Sequence, residues 1–300
     1  MIYTLRHLTT YRYAGLVRSA RCNLRLTPRD GEGQRVLEST ITVTPTPAAR
    51  LARRDFFGLD TLTLLLDEPH KEFAVEAVSR IAVERPAPPP EEEGPSWETV
   101  RMAALAQPSL GPETPAHFQF PSLRVPLVPA VTDYARASFP PGRSAYGGAV
   151  ELMRRIRHDF RFDAKATTVS TPLAEAFALK AGVCQDFAHV MIAGLRGLGL
   201  PAAYVSGYLR TRPPAGQPRL RGADASHAWV ALWCGPEDNP GQGGWIGLDP
   251  TNDCVVRDDH IVVARGRDYG DVAPIDGIVS SAGAQTLTVE VDVIPEDEAA

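Results

Sequence analysis

Three residues of this chain sit in settings that together suit nucleophilic catalysis: Cys184, His227 and Asp249. Cys184 opens the run Cys184-Gln185-Asp186-Phe187-Ala188-His189, which continues to Leu200. Gly182 offers a turn ahead of it. Phe187, Met191, Leu195 and Leu198 recur at helical spacing, and Gly199 and Pro201 close the run. The thiol is therefore expected in the first turn of a helix, where unpaired backbone N–H groups and the positive dipole end favour a thiolate. A lone cysteine is more often a small buried hydrophobe, so a nucleophile here needs a base.

His227 begins the strand-like run Ser226–Trp233, and Asp249 ends the run Trp245–Asp249. Residues 235–244, rich in Gly, Pro, Asp and Asn, read as the turn of an antiparallel hairpin. With Trp233 opposite Trp245, His227 falls opposite Thr251, two positions from Asp249. A carboxylate that accepts from one imidazole nitrogen fixes the tautomer and orients the other. The chain thus offers nucleophile, base and orienter in the order Cys184, His227, Asp249. His189 lies about 140° round the helix from Cys184, too far for direct pairing, and reads as a packing residue or a support behind the site. Asp186 is placed to bond the start of its own helix. Trp229 shares the parity of His227, and Trp229, Tyr208 and Gln185 are the candidates for contact with substrate.

The elements around these residues suggest an α+β protein. Over 1–84 the pattern is β. Tyr3, Leu5, His7, Thr9, Tyr11 and Tyr13 alternate with polar neighbours, as do Phe73, Val75, Ala77, Ile81 and Val83, which predicts a small N-terminal β-sandwich. The basic run Arg50 to Arg54 reads as an exposed turn. Glu84 to Pro95 is proline-rich and acidic, an extended exposed connection. From about residue 97 the period turns helical, with helices expected around Val131–Phe139, Tyr146–Arg157 and Pro172–Leu179. Ala202–Leu209 is a further strand, as is Leu287–Val293.

Composition bounds the partners. With 44% hydrophobic and 22% charged residues the chain is a folded protein, and a net charge of −5 gives no footprint for nucleic acid. No apolar run is long enough to cross a bilayer, and Met1 to His7 lacks a signal-peptide core, so the cytoplasm is the expected compartment. The cysteines at 22, 184, 234 and 254 show no CxxC spacing. Free thiols, no metal site and no cofactor are expected, and no EF-hand-type calcium loop is present.

Four blocks occur in order: Gly182-Val183-Cys184-Gln185-Asp186-Phe187-Ala188-His189, Tyr204-Val205-Ser206-Gly207-Tyr208, Asp224-Ala225-Ser226-His227-Ala228-Trp229-Val230 and Gly247-Leu248-Asp249-Pro250-Thr251-Asn252. They resemble bacterial transglutaminase-like proteins. Tyr11-Arg12-Tyr13 and Leu26-Thr27-Pro28-Arg29-Asp30 resemble the N-terminal domain that accompanies this core. The resemblance implies an N-terminal β-sandwich (1–84), a connection (85–130) and a papain-like transglutaminase core with a C-terminal strand (131–295). In that core the Cys-bearing helix packs on an antiparallel sheet bearing His and Asp, with Cys184 as nucleophile, His227 as base and Asp249 as orienter. It also implies acyl transfer from a protein or peptide amide to an amine. Hydrolysis by water is the alternative within enzymes, and a non-catalytic scaffold the alternative outside them.

Overall fold

Alternation fixes the first strand, β1 (Ile2–Val17), whose Tyr3, Leu5, His7 and Thr9 turn inward. It is followed by β2 (Ser19–Leu24), β3 (Gln34–Thr44), β4 (Ala49–Arg54), β5 (Asp60–Leu66) and β6 (His70–Val83). The structure is a computed structural model and describes residues 1–211, 222, 224–236, 244–280 and 283–298. Most of the loop expected over Thr211–Gly222 and of the turn expected over 235–244 lies outside them. After β6 come α1 (Trp97–Leu105), α2 (Pro129–Arg136), α3 (Ala145–Asp159), β7 (Arg161–Phe162), α4 (Leu173–Leu179), β8 (Ala181–Gly182) and α5 (Cys184–Gly197). The chain ends with β9 (Ala202–Leu209), β10 (Ala225–Trp233), β11 (Trp245–Asp249), β12 (Cys254–Val255), β13 (His260–Gly266), α6 (Tyr269–Val272), β14 (Ile275–Ser280) and β15 (Gln285–Pro295).

The six strands before α1, joined by β14 and β15, form two four-stranded sheets, ordered β15-β1-β6-β3 and β14-β2-β5-β4. Val17, Phe73 and Val75 of one sheet pack on Leu24, Leu64 and Leu66 of the other, burying an apolar layer between them. The outer strand of each sheet comes from the far end of the chain. The C-terminal strand expected in the catalytic core is β15, and it pairs with β1 from Tyr3↔Pro295 to Tyr13↔Gln285. Its alternation fits any half-buried sheet edge, so the pattern alone could not name its partner. The basic run at 50–54 is β4, an exposed edge strand paired with β5, instead of a turn.

The 85–130 connection is pinned to its surroundings. Arg85 donates to the carbonyls of Glu32, Arg257 and His260, and α1 forms within the segment behind a Ser96 cap. The core sheet, ordered β12-β11-β10-β9-β13, is antiparallel throughout. α5 lies against β9 and β10, and its residues from Gln185 to Arg196 are all buried. The two regions interlock where the Gln34 amide of β3 donates to Val262 O (2.7 Å) and accepts from Val262 N (2.8 Å) on β13.

Candidate active site

Cys184 is the first residue of α5, and the turn before it is built by residues that close on themselves. Asp186 Oδ2 accepts from Val183 N at 2.9 Å and from the Thr167 hydroxyl at 2.6 Å, reaching back across the helix start as expected for an acid in the first turn. Gly182 leaves room for it: a Cβ there would stand 2.3 Å from that same Oδ2. The thiol is half-buried.

β10 and β11 pair in the register read from the tryptophans, Trp233↔Trp245 through Val230↔Leu248. Past that ladder the strands part, and His227 Nε2 meets Asp249 Oδ2 at 2.7 Å. Asp249 is fully buried and His227 nearly so. The Asp249 carboxylate is surrounded by donors. Oδ2 also receives Asn252 Nδ2 (2.7 Å) and His260 Nε2 (3.2 Å), while Oδ1 takes the backbone N–H groups of Thr251 (3.0 Å) and Asn252 (3.2 Å). The Asp249-Pro250-Thr251-Asn252 turn thus wraps its own first side chain.

Burial would raise the Asp249 pKa, but hydrogen bonds from His227 and His260 and the charge of His227 hold it below the usual carboxylate range. Burial would lower that of His227, but the hydrogen bond and charge of Asp249, joined by those of Cys184, raise it to about 10. With Nε2 facing Asp249, Nδ1 is the ring nitrogen left for Cys184. The other three thiols are pushed up by burial, Cys22 to about 11 and Cys234 and Cys254 to about 12.

The remaining sequence candidates fall in different places. Gln185 is buried and donates to Val169 O at 3.2 Å, beside a cavity on its side of α5. Trp229 is wholly interior, packed with Phe118, Val205 and Val262, and its ring meets His260 edge-on at 5.2 Å and lies 6.1 Å from His227. Tyr208 is not at a rim: its hydroxyl lies 2.8 Å from Nδ1 of His7 on β1. Strand parity explains this, because Gly207 pairs with His227 and Tyr208 therefore takes the other face. His189 packs on Tyr204 at 4.9 Å and accepts from Tyr269 N, a core role.

Two residues of the cluster escaped sequence reasoning. Asn252 stood in the quoted Asp249–Asn252 block, where a turn signal was legible. His260, 11 positions beyond Asp249, carried none. His227, Asp249 and His260 place ligand atoms within 4.8 Å of one another, close enough to share an ion. Here those atoms are joined by hydrogen bonds of 2.7 and 3.2 Å, and a zinc ion would draw each nitrogen to about 2.0–2.1 Å.

A helix-borne thiol set against an antiparallel sheet that carries a His–Asp pair is the architecture of transglutaminase-like cysteine enzymes. Comparison with known proteins places the chain there: residues 3–82 match the bacterial transglutaminase-like N-terminal region, and residues 133–250 match the transglutaminase-like superfamily, whose members are generally cysteine-dependent enzymes. The chain belongs to this bacterial transglutaminase-like family. It is 40% identical over 297 residues to an uncharacterized protein of Mycobacterium tuberculosis, covering 98% of this chain and 92% of that one. It is 30% identical over 156 residues to a protein-glutamine gamma-glutamyltransferase of Pseudomonas aeruginosa, covering 49% of this chain and 22% of that protein. The solved structure named "Putative Cysteine Protease" from Cytophaga hutchinsonii shares the fold, with a TM-score of 0.75 at 22% identity over 99% of this chain and 92% of that one. Asn252 and His260 lie beyond the matched core. Among the described residues no helix is long and apolar enough to cross a membrane.

Proposed function

We propose that the protein transfers acyl groups from an amide through a Cys184 thioester. The observation that carries this reading is the buried His227–Asp249 contact of 2.7 Å, with Cys184 acting on the same imidazole. The likeness to a protein-glutamine gamma-glutamyltransferase supports a glutamine side chain as acyl donor.

In the first half-reaction the Cys184 thiolate attacks the amide carbon, and the tetrahedral oxyanion is met by the Cys184 N–H, one of the donors a helix start leaves unpaired. The C–N bond breaks as the His227 imidazolium hands its proton to the departing amine or ammonia. In the second, an incoming amine attacks the thioester, gives a proton to His227 and expels the thiolate, leaving a new amide. Asp249 stays ionised throughout and holds the ring, and Asn252 and His260 hold Asp249.

Iodoacetamide labelling across pH tests the thiol. At pH 7 Cys184 should label at least tenfold faster than Cys22, Cys234 and Cys254, whose thiols are pushed up by burial, and His227→Ala should abolish that advantage. Equal slow labelling of all four would overturn the reading. A glutaminyl peptide with an amine donor then reads the acceptor: amide product marks transfer, and free acid marks hydrolysis.

A further inference from the structure

On the Gln185 side of α5 lies a cavity of about 340 Å³, within the size range of small-ligand sites. Gln185 and His189, four residues apart, form its helical wall. Leu123, Arg124, Val169 and Ser170 face them from two loops. Leu123 is 95% exposed and Val169 54% exposed, so the mouth is apolar.

The chemistry of the lining is one-sided. Among the described residues no carboxylate lines the cavity. His189 is kept neutral, since burial lowers its pKa to about 4 and its Nε2 accepts from Tyr269 N. Arg124 is therefore the cation among the described lining residues. Its Nη1 donates to Val169 O at 2.8 Å and its guanidinium lies 5.6 Å from the Tyr269 ring centroid, but it makes no ion pair with a described carboxylate. The nearest acid in the bonding pattern, Asp268, takes the backbone N–H groups of Arg124 and Gly270 instead. A guanidinium with open N–H groups in a carboxylate-free cavity suits a bidentate anion.

The cavity is tied to the thiol through one oxygen. Val169 O accepts from both Arg124 Nη1 and Gln185 Nε2, and Gln185 follows Cys184 directly. Consecutive Cα atoms are 3.8 Å apart, and an extended peptide spans about 3.3–3.6 Å per residue. The Arg124 guanidinium thus lies one side chain and two hydrogen bonds from the residue after Cys184, a span of a few peptide residues.

We infer that this cavity is a donor subsite in which Arg124 binds a carboxylate lying a few residues from the reacting amide, which makes the acyl donor an acidic peptide. The inference rests on the acyl-transfer reading of Cys184 but is separable from it, because binding can be measured without turnover.

The probes are blocked heptapeptides with a central glutamine and, one, two or three residues to either side of it, a glutamate or a neutral glutamine, together with shorter peptides that end in a free C-terminal carboxylate at the same distances. In the Cys184→Ala protein, which cannot turn over, a peptide with a carboxylate should bind at least tenfold tighter than the neutral peptide. Which of the acidic peptides shows the gain tells a side-chain carboxylate from a terminal one. Adding Arg124→Gln should bring that ratio to about one, and Arg124→Lys should keep part of it. A ratio near one in the parent, or a preference that survives Arg124→Gln, overturns the inference. With Cys184 intact, the same preference should appear as a lower KM for the acidic peptide. Preferential binding without turnover would leave the subsite standing and count against the acyl-transfer reading alone.

Discussion

His227 sits at the start of β10 with a carboxylate, a carboxamide and a thiol around it; His189 sits in the second turn of α5 with a backbone N–H and a tyrosine ring. Both are buried, 8% and 5% exposed, yet the first is raised to about 10 and the second lowered to about 4. Burial lowers both. The difference is that His227 is hydrogen-bonded to a carboxylate, Asp249, itself held by five donors, with the Cys184 thiol beside it, whereas the His189 ring nitrogen accepts from a neutral backbone amide. Burial alone lowers a histidine's pKa, and a pre-satisfied carboxylate beside the ring raises it.

The largest break in this comparison is Asp249→Asn. It should make His227 resemble His189 more closely, lowering its pKa from about 10, and should cut the proposed acyl transfer on the order of 10⁴-fold. The pH dependence of stability follows from the two shifts. The raised His227 contributes fully below pH 6.5 and loses its share as pH rises towards 10. The lowered Asp249 contributes above its ordinary 3.8 and loses its share as pH falls below that value. Urea unfolding should therefore show highest stability between about pH 4 and 6.5, falling on both sides, with a flatter profile in the variant. An unchanged profile would remove Asp249 from the account.

Next comes the floor beneath His227. Gly207 pairs with it across β9 and β10, and a Cβ there would stand 2.1 Å from Ile261 O and 2.5 Å from the Trp229 ring. Backbone cannot yield cheaply at that distance, so Gly207→Ala should displace Trp229, which lies against the rings of both His227 and His260. We expect a loss of about 2 kcal/mol, roughly a 30-fold change in the folding equilibrium. Unchanged urea stability would show that the sheet accommodates the methyl group.

His260→Gln is milder. It takes a 3.2 Å donor from Asp249 but leaves four others, so kcat should fall about tenfold with KM little changed, and the alkaline limb of the pH–rate profile should move. A change confined to stability would make His260 a packing residue only.

How far the sequence foretold this contrast differs between the two histidines. The hairpin register was legible because Trp233 and Trp245 bracket a turn-rich segment, and Cys184 was legible because glycine precedes it and apolar residues follow at helical spacing. The core role of His189 was legible from its angle round the helix. Asp249's other supports were not: His260 reaches it from β13, beyond a turn and an intervening strand, and no local pattern records which strand ends converge. The same holds for β15, whose alternation reveals a strand but not that its partner is β1 at the other end of the chain, and β14, which pairs with β2, was not read as a strand at all. Tyr208 shows the converse, since parity along β9 would have separated it from His227 once Gly207 was placed opposite that residue.

The smallest expected effect belongs to the other half of the comparison. His189→Gln removes a neutral ring that accepts from Tyr269 N at 3.3 Å and packs on Tyr204. A glutamine amide that fails to reach this N–H leaves a buried donor unpaired, which costs about 1–3 kcal/mol. Because His189 is uncharged at neutral pH, that loss should be independent of pH from about 6 to 9, and iodoacetamide labelling of Cys184 should change by less than about twofold at every pH in that range. A labelling profile that shifted along the pH axis would place charge on His189 and join the two histidines in one titrating unit, with α5 carrying the coupling between them.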